Sequence, residues 1–313
     1  MPAIWVGAAG SATGWGVIQS LRERRPDARI VAADTNPRHL VAAAADADAF
    51  VRVPAAGDPR FAGALASGLA EHDIDVYVPI HDLELIAAAA AREAGRLPAS
   101  VACTAPAHAA AALCWDKLET ARALEAAGVP APLTVAGSSD WRGPCVVKPR
   151  HGVASRGVRL VDAAQRTGVE RTDAYVVQQR CDPPEITIDA FWSADGACFA
   201  ALARERLEVR AGVATKGRVF ADAELAGLAR AVAQATGVRG AFCLQVMRGA
   251  HGWQVTDVNP RPGGATRMSV VCGLDVHGAM VADALGEDPS AHLAAPGDER
   301  FVLRGYVERV ARR

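Results

Sequence analysis

No stretch of this chain approaches the roughly 18 uninterrupted apolar residues that span a bilayer. The alanine-rich runs at 42–45 and 86–91 are cut short by Asp46 and Arg92. Met1–Gly10 has neither Lys nor Arg, so its apolar start reads as a strand and not as a secretion signal. No basic excess exists either. Charged residues are 22% and the net charge is −1, which excludes a nucleic-acid or membrane surface of the usual electrostatic kind. The seven cysteines (103, 114, 145, 181, 198, 243 and 272) include no C-x-x-C pair, and their number is odd. A disulfide framework and a thiolate zinc site are therefore not expected; reduced thiols in a cytoplasmic protein are. The histidines lack H-x-x-x-H spacing, so a zinc site has no support from them.

What is present is 313 residues, half of them hydrophobic, enough for about two domains. The first 112 residues alternate strand and helix patterns. Ala3–Ala9, Arg29–Asp34, Ala49–Val53 and Asp75–Ile80 read as strands. Val17–Arg25, Asp58–His72 and Leu83–Ala94 read as helices. This predicts a doubly wound α/β layer. After Trp115 the texture changes. Asp116 caps a helix that stops at Gly128, and CVVKP (145–149) is a strand closed by proline. Strands are expected at 175–179, 185–192, 197–205 and 300–307, helices at 221–236 and 276–285, and a hairpin at 240–258.

The hairpin's second strand reads WQVTDVNPRPGG. Asp257 and Asn259 are two apart and share a strand face. With residues 248–252 as the turn, Gln245 is expected diagonal to Asp257 on that face. One carboxylate and two amides form a hard-oxygen set that suits Mg²⁺ shared with a polyphosphate. Arg261 has the same parity and fits a transferring phosphoryl group. D-x-N alone would be an ordinary strand end; Gln245, Arg261 and the glycines make it a site.

Lys148, between valines and proline, expects an anionic partner, because an unpaired buried ammonium is costly. The donor-rich loop after it (Gly152–Gly157) suits phosphate, although the Walker A order is absent. Gly7, Gly10, Gly14 and Gly16 with Asp34 lack the G-x-G-x-x-G order. They read as a tight strand-to-helix turn and not as an NAD site. In 203–218, Arg204 and Arg206 alternate on a strand and Lys216 is expected in a glycine-flanked loop, together a candidate anion site. His81 reads as a capping or solvated histidine before a catalytic base.

Five segments in this order resemble the ATP-grasp superfamily, in particular its carbamoyl-phosphate-synthetase-like branch with its carboxylate–amine ligases. They are WDKLETARALEAAGVPAP, CVVKPRHGVASRGV, YVVQQRCDPPEITIDAFW, RERLEVRAGVATKGR, and GAFCLQVM with VTDVNPRPGG. The resemblance implies an ATP-grasp fold of mixed α/β and α+β type. A Rossmann-like domain (1–112) would precede a small subdomain with the phosphate loop (113–180) and a large one with the metal site (181–313). It implies ATP and Mg²⁺, with Mn²⁺ as an alternative, and small carboxylate and amine substrates on a homodimer.

Residue by residue, the resemblance makes Lys117 and Lys148 the phosphate-binding cations and Ala154, Ser155, Arg156 and Gly157 the phosphate cover. Gln179 and Cys181 would meet adenine and Glu185 the ribose. Gln245, Asp257 and Asn259 would be the metal ligands, of which Gln245 and Asp257 also hold the nucleotide. Arg261 would lie near the acyl phosphate and Lys216 in a loop near the γ-phosphate, with Arg206 a further catalytic candidate, and His81, Arg204, Arg206 and Arg267 are candidates for reading the substrate carboxylate. Gln245 and Gln179 stand where many members carry glutamate, and Asp257 is one methylene shorter than the usual acid. The implied alternatives are a bicarbonate-using carboxy-phosphate enzyme and a nucleotide-binding module without turnover.

Overall fold

Apolar runs too short to form helices, each followed by a helical pattern, give five parallel strands at the N-terminus. The computed structural model describes residues 1–153, 156–162, 172–305 and 307–311. The first sheet holds β1 (Ala3–Val6), β2 (Arg29–Asp34), β3 (Ala49–Arg52), β4 (Val76–Val78) and β5 (Ala102–Cys103). Its order is β3-β2-β1-β4-β5, and every pairing is parallel. Both faces are covered, as a parallel sheet requires. Ile4, Val6, Ile30 and Ala32 pack on one side, and Trp5, Val31, Ala33 and Tyr77 on the other. Strand order reverses between β1 and β4, so a crevice opens beyond their carboxyl ends.

Helix α1 (Ala12–Arg24) begins five residues before the expected Val17. Ser11 caps it, its Oγ accepting from the Gly14 amide at 3.0 Å. Gly14 does not delay the helix; it permits contact. A Cβ there would stand 2.4 Å from the Ala8 carbonyl oxygen. Helices α2 (Phe61–Glu71) and α3 (Asp82–Glu93) follow their strands, and α4 (His108–Trp115) and α5 (Lys117–Ala126) lead into the second sheet. That sheet is antiparallel, with β6 (Thr134–Ala136), β7 (Cys145–Pro149), β8 (Arg159–Val161) and β9 (Tyr175–Gln179) in the order β6-β9-β7-β8.

The third sheet contains β10 (Asp182–Trp192), β11 (Phe199–Arg210), β12 (Val213–Phe220), β13 (Gly240–Gly249), β14 (Gly252–Asn259) and β15 (Arg300–Leu303). Its order is β14-β13-β10-β11-β12-β15. Alternation along β10 sends Ile186, Ile188 and Ala190 into a core with α6 (Ala223–Thr236). Asp189, on the other face, is fully buried. It accepts from Arg204 Nε at 3.1 Å, Thr266 Oγ1 at 2.6 Å and Ser269 Oγ at 2.6 Å. Helices α7 (Arg267–Val271) and α8 (Val276–Ala284) lie on this inner side. One apolar cluster runs from Ile4 and Ile18 to Phe191, Val219 and Met280, joining the first sheet's layer to the third sheet. Among the described residues no helix is long and apolar enough to cross a membrane.

Glu84 sits where the first sheet's strand order reverses. Its Oε1 accepts from the buried Tyr77 hydroxyl at 2.8 Å and lies over Gly7, where a Cβ would come within 1.7 Å. With His81 it forms a capping box for α3, the first of the two roles, capping or solvated, expected of that histidine. Burial pushes the Glu84 carboxyl from its ordinary 4.5 up to about 7. The folded state therefore holds this proton more tightly than the unfolded chain. The stabilisation is complete below pH 4.5 and is lost as pH rises through about 7. At about 1.4 kcal/mol per pH unit it amounts to roughly 3 kcal/mol. Glu84→Gln removes this titration. Urea midpoints of wild type and variant should diverge between pH 5 and pH 8, with the wild type losing ground; parallel profiles would refute the assignment.

Candidate active site

The β13–β14 hairpin turns tightly, with Gly249 opposite Gly252, and not through the five-residue loop expected. Register holds through Val246 opposite Val255, then slips by one residue at Thr256. This is a β-bulge, in which an extra residue bends the strand and re-aims its neighbours. On a regular strand Val255 and Asp257 would share a face. Here Val255 packs into the α6 core, whereas Asp257 stands directly opposite Gln245, not diagonal to it. Asn259 Nδ2 then lies 3.3 Å from Gln245 Oε1 and 3.2 Å from Asp257 Oδ2. The three side chains meet at one point.

The bulge also supplies a carbonyl. Lys148, buried on β7, donates to Thr256 O at 2.7 Å and to Gln178 Oε1 at 3.0 Å. Both partners are neutral oxygens. Burial lowers the Lys148 pKa, the negative charge of Asp257 raises it, and the positive charge of Lys117 lowers it further. Lys117 Nζ donates to Gly152 O at 3.0 Å. Asp116 caps α5 and pairs with Arg150 at 2.6 Å, tying that helix start to the end of β7. A cleft lined by Cys114, Lys117, Leu124, Lys148, Gln178 and Asp257 results. Burial pushes the Cys114 thiol up to about 12.

The other expected residues have the following partners, and of them Cys181 and Glu185 lie close enough to Lys148 for their charges to act on it. Gln178 shares the Lys148 face, whereas the Gln179 side chain is exposed; successive strand residues point to opposite faces. Cys181 is buried, its Sγ donating to Gln254 Oε1 at 3.3 Å. Glu185 pairs with Arg206, which also donates to Gly212 O at 2.9 Å. Lys216 lies on β12 and not in a loop. Its neighbour Gly217 packs against Met268 and the Arg204 stem on the inner face, so Lys216 points outward, and it pairs with Glu208 at 2.8 Å. The structure does not bring it to the Gln245–Asp257–Asn259 set. Arg204 is held by Asp189 in the interior. Arg267 donates to Ser20 Oγ at 3.1 Å and pairs with Glu23. Arg156 is exposed, and Gly157, at φ +75°, turns the chain against the Pro149 ring. Ala154 and Ser155 lie outside the described residues.

Arg261 does join the set, with a partner that sequence reasoning missed. It forms a two-point ion pair with Asp82, Nε to Oδ1 at 3.0 Å and Nη2 to Oδ2 at 2.7 Å. Nη2 also lies 3.5 Å from Asn259 Oδ1. No local pattern links positions 179 residues apart. The only hint was an Asp opening α3 just after the crevice strand.

Residues 114–265 match the model of the ATP-grasp domain family. No curated protein matches the sequence. Among solved structures, N5-carboxyaminoimidazole synthetase from Staphylococcus aureus complexed with ADP superposes with a TM-score of 0.72 at 16% identity, over 96% of this chain and 80% of that one. The L-amino acid ligase from Bacillus licheniformis gives 0.72 at 16% identity, over 93% and 76%. The biotin carboxylase domain dimer of Hydrogenobacter thermophilus 2-oxoglutarate carboxylase, in complex with MgADP, ADP and bicarbonate, gives 0.70 at 15%, over 91% and 70%. At such identities the likeness is one of fold. The sequence match over residues 114–265 and the superposed backbones agree on an ATP-grasp fold, preceded here by a Rossmann-like parallel sheet.

Proposed function

We propose that the protein is an ADP-forming carbon–nitrogen ligase that activates a small carboxylate, such as that of an amino acid, with ATP and Mg²⁺ and couples it to an amine. The observation that carries this reading is the bulge-built convergence of Gln245, Asp257 and Asn259 beside the buried Lys148. The nucleotide would lie between the second and third sheets, in the cleft of Lys117, Lys148 and Gln178.

Gln245 Oε1 and Asp257 Oδ2 converge on the Asn259 amide nitrogen; a rotation of that amide, turning Oδ1 inward, would complete a set of hard oxygens with one negative charge, which fits a divalent ion that also takes phosphate oxygens. Bound there, Mg²⁺ would neutralise charge on the triphosphate. Lys148 would exchange a neutral carbonyl for a phosphate oxygen, a stronger, charge-assisted bond. Lys117 adds a second cation. Arg261, beside Asn259, is placed to hold the transferring phosphoryl group. A carboxylate oxygen of the substrate attacks the γ-phosphorus, the bond to the β-phosphate oxygen breaks, and ADP leaves. The amine then attacks the acyl carbon and expels phosphate, losing its proton to solvent. No protein nucleophile takes part; positioning and charge do the catalysis.

A bicarbonate-dependent reaction is the second reading, favoured by the neighbouring fold solved with MgADP and bicarbonate. Seven free cysteines fit a reducing cytoplasm, where we place the reaction, and a homodimer is the expected assembly.

ADP release should require an acid and an amine together; an amino-acid pair screen, with bicarbonate as a separate arm, tells the two readings apart. Asp257→Ala should abolish Mg²⁺-dependent ADP formation without shifting the urea midpoint downward, and normal turnover in this variant would remove the metal assignment. Lys148→Met should weaken ATP binding roughly ten- to hundredfold, the worth of a hydrogen bond to a charged group. Its folding midpoint should move little, because the desolvated charge disappears along with its bonds. Calorimetric titration with ATP reads the first effect and urea unfolding the second.

A further inference from the structure

Asp82 opens α3 immediately beyond the crevice between β1 and β4, and its carboxylate reaches a residue at the far end of the third sheet. The pair it makes with Arg261 is largely shielded, with side-chain exposures of 11% and 13%. In such surroundings a two-point carboxylate–guanidinium contact is both strong and directional. Every nitrogen of Arg261 is engaged. Nε and one Nη2 proton go to Asp82, Nη1 donates to Pro262 O at 3.1 Å, and Nη2 leans toward Asn259 Oδ1 at 3.5 Å.

Asp82 itself is rigidly presented. The α3 start is fixed by the His81–Glu84 capping box, and Glu84 by the Tyr77 hydroxyl. A carboxylate in the first turn is also favoured by the helix dipole. The Arg261 guanidinium plane thus takes its one two-point contact from the N-terminal layer, while its own segment adds single contacts at Pro262 O and Asn259 Oδ1. A salt bridge serving only to fasten two layers would not need to fall on the arginine that touches Asn259.

We propose that Asp82 is a positioning residue for the phosphoryl-transfer site: it fixes the orientation of Arg261 beside Asn259 and makes turnover depend on the N-terminal layer. This rests on the ligase reading above. The arrangement places the task of Asp82 in the reaction and not in nucleotide binding, because Lys117, Lys148 and Gln178, which line the cleft, make no contact with it in the structure's hydrogen bonds.

The test compares wild type, Asp82→Asn and Asp82→Glu by three measurements: MgADP affinity by calorimetry, kcat for acid- and amine-dependent ADP release, and the ¹⁵N–¹H signal of Arg261 Nε, which needs no substrate. Asp82→Asn should lower kcat roughly ten- to hundredfold, the usual cost of removing a residue that orients a functional group. MgADP affinity should be unchanged, and the Nε–H signal should be lost to exchange. Asp82→Glu, which restores the charge, should recover part of kcat and the signal. Unaltered kcat and signal in Asp82→Asn would overturn the proposal alone. So would a parallel fall in kcat and MgADP affinity, which marks general damage. Failure of the wild type to bind MgADP would overturn the nucleotide reading and the proposal with it.

Discussion

One extra residue in β14 organises the site. Without the bulge at Thr256, alternation would send Asp257 into the same apolar core as Val255. A carboxylate there would have no partner, and its desolvation would be prohibitive. The slip of one position resolves the conflict between a core that needs Val255 and a site that needs Asp257. It also leaves the Thr256 carbonyl to Lys148, from a different sheet. One local irregularity therefore creates the oxygen set and links it to the cation that faces it. Bulges recur beside functional sites because they re-aim a side chain at small cost to the ladder.

The site draws on all three sheets, each supplying a different kind of group. The second sheet brings Lys148 and Gln178, the third brings the oxygens and Arg261, and the layer around the first brings Asp82. The layers are joined in two ways. Between the first and third sheets lies a continuous apolar core, which is insensitive to small displacements. Lys148 and Asp82, by contrast, join layers through directional bonds to single atoms, where a shift of an ångström matters. The apolar contact holds the frame; the polar contacts hold the geometry.

How much of this was legible in the sequence follows from the range of the interactions. The parallel layer was readable because its strands are buried on both faces and stand out as apolar runs; β2 matches its expected ends and β3 and α3 theirs within a residue or so. CVVKP and YVVQQ were equally plain as strands. The chemistry at 245, 257 and 259 was visible in residue types and spacing, but the register was not, since a bulge leaves no mark that distinguishes TD from any other step. Gln178 faces Lys148 while the side chain of Gln179, whose expected adenine contact is partly through backbone, points away, and the glycines at 212 and 217 make the strand that holds Lys216 look like a loop. Gly217 instead belongs to a strand that passes close to Met268. Arg204 looked available for a ligand only because its buried partner, Asp189, lies on another strand. The Asp82–Arg261 pair was out of reach of any local rule.

The cleft also contains a sulfur. Cys114 lines it near Lys117 and Asp257, but burial pushes its thiol up to about 12, so the thiol form, not the thiolate, dominates at neutral pH. Nucleophilic attack and peroxide oxidation both begin from that anion. The cleft is therefore chemically quiet, and air handling leaves the lining of this cavity as it was made.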